Sequence, residues 1–484
     1  MTSIHDQAMN HVYQQILQRL LGFFSRAERT ALQLLIQRLV VAAGGMERLA
    51  DYKVLVIQTG SRDSCYTLAL LRAAQLSIAG RAPATFQLRV ASLQQSGVSA
   101  TVLDNIHNSY SALFLYDDPR VEVLRADNRE VLPFTQPAPI SEAGREVSRL
   151  NLLMVGHRRD SDDALDLWDN GFLATGEFYG QIARWDGGVD ALVSSETPRQ
   201  QKQFLYGFKR ATAKAGLLPS RYTEHGYEDL FTLLDELGPE YYQGFEPELM
   251  QPHWRPAELF ETCRRATFID IHDMLVSNLE QRWPLLTEFL GFQPDGLMAY
   301  ASDNELVSLE LSAHVRGLQA CFMHGDSYES GVAEFFQRAL VMMRRKQLSD
   351  GLCQQAAQVF GQITTDAEQR ALGTAYAQKN LGLSEAQLVC LLFAPFVDKG
   401  ARLEGFLRRC HPGMLIAVPD LHRAMQGHAV PEQILQWMVD VSGLPLALIG
   451  KLYRMERAVE DAPGASSISC DTGNTQASDW STGR

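Results

Sequence analysis

Six small or polar residues interrupt an apolar stretch near the start of the chain: Thr59, Gly60, Ser61, Arg62, Asp63 and Ser64. An apolar run precedes them and a helical pattern follows. A strand, a tight turn and a helix together present backbone N–H groups to an anion at the helix N-terminus. Gly60 can adopt a positive φ, and Asp63 or Ser64 can cap the helix. The segment predicts either a phosphate-binding loop or an ordinary crossover of an α/β sheet.

A second polar group follows another apolar run. The segment "LNLLMVG" (150–156) is predicted to be a strand, and His157 and Asp160 come directly after it. The carboxyl ends of parallel strands meet at one edge of an open sheet, where such folds bind ligands. His157 is therefore either a ligand-facing residue or a surface histidine at a strand end. The acids that follow either join a site or favour the start of a helix.

The first segment resembles the SGGxDS signature of the PP-loop ATP pyrophosphatases. Thr59 takes the place of the first serine of that signature, and Gly60 that of the first glycine. Ser61 replaces the second glycine, while Asp63 and Ser64 match directly.

The second segment is similar to the GHxxDD segment of the tRNA-thiolating and tRNA-lysidine branches of that superfamily. Gly156 and His157 match the GH, and Asp160 falls on an acid of the pattern. Asp162 and Asp163 are displaced by two residues. The combined resemblance covers residues 52–200.

The resemblance implies a protein that binds ATP and magnesium, cleaves ATP to AMP and pyrophosphate, and adenylates a substrate carbonyl. By the same resemblance Thr59, Gly60, Ser61, Asp63 and Ser64 bind the nucleotide, and Asp63 also binds the metal. Asp63, His157 and Asp160 are the implied catalytic residues.

Three further clusters contain residue types that could bind metal or act as nucleophiles. They are Glu224, His225, Glu228 and Asp229; Asp270, His272 and Asp273; and Cys321, His324 and Asp326. Each needs partners from elsewhere in the fold. Asp270 and His272 are predicted to lie on a helix, where residues two apart do not face each other.

The surrounding pattern predicts the elements that position these residues. Two helices over 8–43, with Ser25 as N-cap and Glu28 three residues later, precede an open, mostly parallel α/β sheet. The predicted strands are 53–58, 86–93, 112–116, 121–126, 150–156 and 189–194. The helix between the first two runs from Ser64 to Ala79.

The remainder of the chain is predicted to be helical. A segment rich in Pro, Gly and aromatic residues (236–256) indicates a domain boundary, and helical periodicity begins with a helix over 257–281. The predicted domains are 1–50, a helical hairpin; 51–240, an α/β nucleotide-binding-like domain; 257–460, an all-α domain; and 461–484, a disordered tail.

Composition limits the class of protein. A net charge of −13 does not indicate nucleic-acid binding but does not exclude a local basic patch. No apolar run reaches the ~18 residues of a membrane span. The seven cysteines form no Cys-x-x-Cys pair. Most are predicted to be small buried side chains, which is typical of a protein in a reducing compartment. Without an apolar signal sequence at the start, a cytoplasmic protein is expected.

Two hypotheses remain open. The first is an ATP-using enzyme of the PP-loop type whose helical domain recruits a substrate. The second is a non-enzymatic regulatory or interaction protein with a degenerate ligand turn, which binds a protein partner through grooves between its helices. Ser61 and the displaced acids favour the second hypothesis, and the positions of both motifs favour the first.

Overall fold

The structure is a computed structural model that describes residues 4–457 except for 83, 96–97, 128–129, 137–139, 159–163, 216–229, 231–233, 235–265, 276–278, 294–308, 346–349 and 366–367. The strands are Lys53–Ile57 (β1), Gln87–Leu93 (β2), Val121–Ala126 (β3), Val131–Pro133 (β4), Ala191–Ser194 (β5) and Thr267–Asp270 (β6).

Among the described residues, the helices up to the last strand are Ile4–Phe23 (α1), Arg26–Ala43 (α2), Arg62–Ala79 (α3), Ala100–Ala112 (α4), Glu142–His157 (α5), Asn170–Arg184 (α6) and Pro198–Ala215 (α7). Those that follow are Leu279–Pro284 (α8), Leu309–Gln319 (α9), Tyr328–Arg345 (α10), Asp350–Thr365 (α11), Gln369–Leu381 (α12), Glu385–Phe393 (α13), Leu403–Cys410 (α14), Val418–Met425 (α15), Glu432–Ser442 (α16) and Leu446–Arg454 (α17). The chain thus combines a mixed α/β sheet with a helical C-terminal part, as predicted.

The six strands form one sheet in the order β4-β3-β2-β1-β5-β6. All neighbours are parallel except β3 and β4. In the centre, Val54 pairs with Leu88 on one side and with Ala191 on the other. The chain first builds β2 and β3 on one side of β1 and later adds β5 and β6 on the other. The strand order therefore reverses between β1 and β5.

Alternate residues of β1 face opposite layers of helices. Val54 and Val56 belong to a core shared with helices α1 to α4. Leu55 points to the other face and packs with Phe178 and Ile182 of α6. Each such fully buried aliphatic side chain stabilises the fold by about 1.5–3 kcal/mol. The N-terminal helical pair is thus part of the layer that covers one face of the sheet.

The N-terminal pair begins its second helix as predicted. The Ser25 hydroxyl accepts from the Glu28 N–H at 3.3 Å, and the Glu28 carboxylate accepts from the Ser25 N–H at 2.7 Å. This reciprocal capping box satisfies two N–H groups that the first turn of α2 leaves without helical partners.

The predicted strand at 112–116 is wrong, because this segment forms turns around a buried arginine. Arg72 of α3 has no exposed side-chain surface and donates to the carbonyls of Leu113 and Phe114 at 3.2 Å each. Those carbonyls bind a guanidinium instead of a neighbouring strand. Leu113 and Leu115 are nevertheless buried, which explains the apolar pattern.

The predicted strand at 150–156 is also wrong, because it is the second half of α5. Ser141 caps this helix by accepting from the Gly144 N–H at 3.0 Å. The run is apolar except for Asn151, because α5 is buried on several sides. Leu153 packs in the core of the C-terminal helices, whereas Val155 packs with Phe208 of α7.

The predicted helix at 257–281 is wrong over 267–270, where β6 extends the sheet beside β5. Ile269 and Phe289 pack in the same core as the first four helices. The sheet layer therefore continues past the start of the predicted all-α domain. The predicted boundary at 236–256 and the predicted tail at 461–484 lie outside the described residues.

The C-terminal helices share a single core with α5. Leu152 and Met154 of α5 pack in the same cluster as Leu391, Leu407 and Leu448. The Ser384 hydroxyl caps α13 by accepting from the Gln387 N–H. In the described part of the chain no single helix is long and apolar enough to cross a membrane; only α16 and α17 taken together, bent by 78°, have that length and composition.

Helices α6 and α7 meet at two glycines. A Cβ atom on Gly176 would lie 2.2 Å from Cε2 of Phe208, and one on Gly207 would lie 2.5 Å from Cζ of Phe172. Each ring occupies the space that a side chain on the opposite helix would need.

Gly176→Ala is therefore expected to lower the free energy of unfolding by about 1–3 kcal/mol, since the buried Phe208 ring would have to move. Gly405→Ala on α14 is the matched control, because a Cβ there meets nothing within 4 Å. The control should be neutral or stabilise by up to about 1 kcal/mol. Urea denaturation measures both variants, and equal midpoints would contradict this packing.

Candidate functional site

The turn between β1 and α3 lies at the carboxyl end of the central strand. Gly60 has a φ of +74°, a conformation that other residues rarely adopt. A Cβ at this position would also lie 2.7 Å from both Cγ1 and the carbonyl oxygen of Val102 on α4. Glycine is therefore required at position 60 for two reasons: the backbone conformation and the close approach of α4.

Ser61 is the N-cap of α3. Its hydroxyl accepts from the Ser64 N–H at 3.3 Å, so the predicted capping by Asp63 or Ser64 is wrong. A serine satisfies the first turn of a helix with its own side chain, which a glycine cannot do. Ser61 thus has a structural role as the helix cap.

Three other backbone N–H groups of the turn also have side-chain acceptors. The Gly60 N–H donates to Oε1 of the buried Gln58 at 3.0 Å. The Thr59 N–H donates to Oγ of Ser64 at 3.3 Å, and the Ser61 N–H to Oγ1 of Thr59 at 3.4 Å. The Ser64 hydroxyl in turn donates to Gln58. An incoming anion would have to exchange these side-chain oxygens for its own.

Asp63 lies in the first turn of α3, and its side chain is 58% exposed. Its Oδ1 accepts from Nη1 of Arg282 at 3.0 Å. Arg282 belongs to α8 and its side chain is only 9% exposed. Sequence reasoning missed this residue, since nothing local links it to a turn more than 200 residues earlier.

The Arg282 guanidinium stacks over the Tyr66 ring, with Cζ 4.8 Å from the centroid. The Tyr66 hydroxyl donates to Oε1 of Glu28 at 2.5 Å. Burial and the Glu28 carboxylate raise the pKa of Tyr66 well above its usual value, so the hydroxyl remains a donor. The N-terminal helices are thereby connected to the turn through a continuous set of polar contacts.

Asp270 and His272 lie at the carboxyl end of β6, near the same edge of the sheet. Contrary to the helical prediction they are in contact, with Nδ1 of His272 2.8 Å from Oδ1 of Asp270. The chain leaves a strand and enters a 3₁₀ turn here, which brings residues two apart together. The third member of that predicted cluster, Asp273, pairs with Arg38 at 2.8 Å.

His157 lies at the C-terminal end of α5, and its side chain is wholly buried. Its Nδ1 lies 2.7 Å from the carbonyl oxygen of Leu153, and its Nε2 lies 3.9 Å from Sγ of Cys390. The ring also packs against Phe396, with centroids 6.1 Å apart. These contacts place His157 in the core with the C-terminal helices. Asp160 and the two displaced acids lie outside the described residues.

The other predicted clusters give no metal site in the described part of the chain. There, no group of three or more His, Cys, Asp or Glu side chains is placed to hold a metal ion. The cluster at 224–229 lies outside that part.

Burial raises the pKa of the Cys65 thiol to about 12 and that of Cys410 to about 11. Both thiols are therefore protonated at neutral pH and poor nucleophiles.

An open depression of about 650 Å³ lies on α12 and the start of α13. Arg370 and Glu385 line it and form an ion pair, with Nη2 2.6 Å from Oε1. Thr374 also donates to Glu385 at 3.0 Å. The charged groups at this surface thus satisfy one another.

Comparisons with protein families, with curated proteins and with solved structures found no match to this chain. The functional assignment therefore depends on the residues and geometry described above.

Proposed function

We propose that this protein binds the phosphate groups of a nucleotide at the turn between β1 and α3. The observation that carries the proposal is the position of this glycine turn. It lies at the carboxyl end of the central strand, beside the point where the strand order reverses. Open α/β sheets bind ligands at that point. The 18-residue helix α3 begins there and presents the positive end of its dipole.

The nucleotide-binding residues of the proposal are Thr59, Gly60, Ser61, Asp63 and Ser64. The three hydroxyl groups and the backbone N–H groups of the turn can donate to phosphate oxygens. The half-exposed Asp63 carboxylate suits magnesium, a cation that prefers oxygen ligands and is held through one or two carboxylates together with phosphates. When bound, magnesium would offset part of the phosphate charge.

We propose adenylation of a substrate as a further step at this site. The resemblance to PP-loop enzymes supports this step. In that chemistry a substrate oxygen attacks the α-phosphorus of ATP, and pyrophosphate leaves. His157 receives no ligand contact in this proposal because its ring is enclosed by Leu153, Cys390 and Phe396.

Binding of ATP with magnesium is expected to give a calorimetric heat and to raise the melting temperature, since the ligand binds only the native state. Asp63→Asn should weaken this binding about tenfold or more, the effect of losing a charged contact. It should leave the apo protein folded, because Ser61 caps the helix and the side-chain oxygen of asparagine can still accept from Arg282. Glu47→Gln, which removes an exposed carboxylate from another segment, is the control.

Isothermal titration of wild type and both variants decides the matter. No heat with any of them, or equal affinity in wild type and Asp63→Asn, would contradict the assignment of this turn. Gly60 is not a suitable position for this test, because any Cβ there meets Val102 and would disturb the fold itself.

A second candidate function is that of a non-enzymatic interaction protein, as the sequence also allowed. One observation favours it: the N–H groups of Thr59, Gly60 and Ser61 already have side-chain acceptors within the turn. A turn that satisfies itself can serve as a purely structural crossover. Failure of the titration above would leave this function as the better account.

A further inference from the structure

Arg282 makes fewer hydrogen bonds than two other buried arginines of the sheet layer. Arg72 donates from Nε, Nη1 and Nη2 to protein oxygens, and Arg89 donates from Nε and Nη1 while its Nη2 is buried without an acceptor among the described residues. Arg282 makes one hydrogen bond to the described residues, from Nη1 to Asp63. Its Nε is buried and has no acceptor among those residues.

A guanidinium with few acceptors is costly to bury. It carries five N–H donors and remains charged at any pH that the protein meets. Removing such a group from water without partners is strongly unfavourable. The small number of hydrogen bonds to Arg282 is explained if a bound ligand supplies acceptors to the guanidinium.

The location of Arg282 identifies the chemistry of that acceptor. Its Nη1 reaches the first turn of α3, where the helix dipole also favours negative charge. The planar fork of arginine matches the paired oxygens of a phosphate. We infer that Arg282 is the cation that binds the nucleotide phosphate at this turn, and that it exchanges Asp63 for the ligand in doing so. This inference rests on the proposed function.

The surroundings of Arg282 hold the guanidinium in place for this role. The Tyr66 ring supports one face of it, and the bond from Tyr66 to Glu28 fixes the ring. Glu28 is itself held by the N–H of Ser25. Tyr66 and Glu28 are thus positioning residues that do not touch the ligand.

If Arg282 exchanges Asp63 for the ligand, Asp63→Asn should change the binding affinities of two probes in opposite directions. Metal-free pyrophosphate should bind Asp63→Asn more tightly than wild type, since the variant removes both a like charge and the competing acceptor for Arg282. ATP with magnesium should bind the same variant more weakly, because the metal loses its carboxylate. A purely structural ion pair would affect both probes alike.

The test is titration of metal-free pyrophosphate and magnesium-ATP into wild type, Asp63→Asn, Arg282→Gln, Arg282→Lys and Tyr66→Phe. Arg282→Gln should weaken pyrophosphate and ATP about 10- to 100-fold, the effect of losing a charge-assisted contact. Arg282→Lys keeps the positive charge but loses the planar fork, so its affinity for both probes should lie between those of wild type and Arg282→Gln. This variant also tests the role of Arg282 if Arg282→Gln does not fold. Tyr66→Phe should weaken binding less than either. Arg38→Gln, which removes an arginine near the end of β6, should bind as wild type does.

The outcomes separate this inference from the proposed function. If wild type binds pyrophosphate and Arg282→Gln binds it equally well, Arg282 has no role in the site and the proposed function stands. If wild type binds none of the probes, the proposed function fails together with the inference. Tighter pyrophosphate binding by Asp63→Asn, combined with loss in Arg282→Gln, supports both.

Discussion

Replacing Asp118 with asparagine is expected to lower the free energy of unfolding by about 3–5 kcal/mol, the effect of removing one partner from a buried ion pair. Asp118 accepts from Nη1 of Arg72 at 2.8 Å and from Nη2 of Arg120 at 2.7 Å. The side chains of Asp118 and Arg72 have no exposed surface. The substitution would leave the Arg72 charge buried without its counterion.

This ion cluster also connects several elements. Tyr13 of α1 lies under both guanidinium groups, with Cζ of Arg120 4.6 Å and Cζ of Arg72 5.4 Å from its ring centroid. Arg72 also donates to Oε1 of Gln75 at 2.6 Å. Loss of Asp118 would therefore disturb the packing of α1, α3 and the segment before β3 together.

The effect should depend on pH in a defined direction. Burial alone raises the pKa of Asp118, but the hydrogen bonds of Arg120 and the charge of Arg72 outweigh it and hold the pKa below its usual value. A depressed carboxylate pKa contributes stability that is complete above the unfolded pKa of about 3.9. That stability is lost as pH falls through the lower folded pKa.

Urea denaturation at pH 7 and at lower pH measures both effects. Asp117→Asn is the matched control, because Asp117 is the adjacent residue and is exposed. The control should change the unfolding free energy by no more than about 0.5 kcal/mol. Equal loss in the two variants, or a difference that persists unchanged at pH 2, would contradict the role of this cluster.

Acidification from pH 6.5 to pH 4 should destabilise the C-terminal helices by up to about 3 kcal/mol through His314 alone. Burial lowers the pKa of His314 to about 4, with Glu385 opposing and Arg370 adding to that shift. Its ring is wholly buried, and Nδ1 lies 2.9 Å from the Tyr328 hydroxyl. Its Nε2 is buried without an acceptor among the described residues, so a second proton on the ring would have no partner.

The sign follows from proton binding. Between the unfolded pKa of about 6.5 and the folded pKa, the unfolded chain binds more protons, so stability falls as pH falls. In His314→Gln, the loss of unfolding free energy between pH 6.5 and pH 4 should be smaller than in wild type by up to about 3 kcal/mol. The variant itself should be less stable than wild type at pH 7.

Chemical denaturation across that range compares wild type, His314→Gln and His324→Gln. His324 is exposed at the end of the helical segment that follows α9, so its variant should keep the wild-type pH dependence. Identical slopes for wild type and His314→Gln would show that the buried histidine does not titrate in this range.

Local signals were sufficient for much of the secondary structure. The capping box of Ser25 and Glu28 and the apolar periodicity of the C-terminal helices predicted those elements, because capping and amphipathic spacing involve residues within one or two turns. The strands β1, β2, β3 and β5 were also predicted, since short runs of β-branched and apolar residues between turn residues carry their own signal.

The errors occurred where tertiary contacts outweighed local pattern. Residues 150–156 are apolar except for Asn151, and periodicity cannot distinguish a buried strand from a buried helix in so short a run. Residues 112–116 looked like a strand, but the buried Arg72 binds the carbonyls of Leu113 and Phe114. The brief strand β6 was hidden in a region read as helical, since only pairing with β5 defines it.

The glycine turn between a buried strand and a helix could be predicted, because strand, turn and helix start are each specified by neighbouring residues. The surroundings of that turn could not be predicted, because they depend on the packing of the whole chain. That packing placed Arg282 against Asp63 and enclosed His157 in the helical core. Both outcomes depend on residues distant in sequence that pack together only in the folded chain, and such contacts leave no periodic or local signal to read.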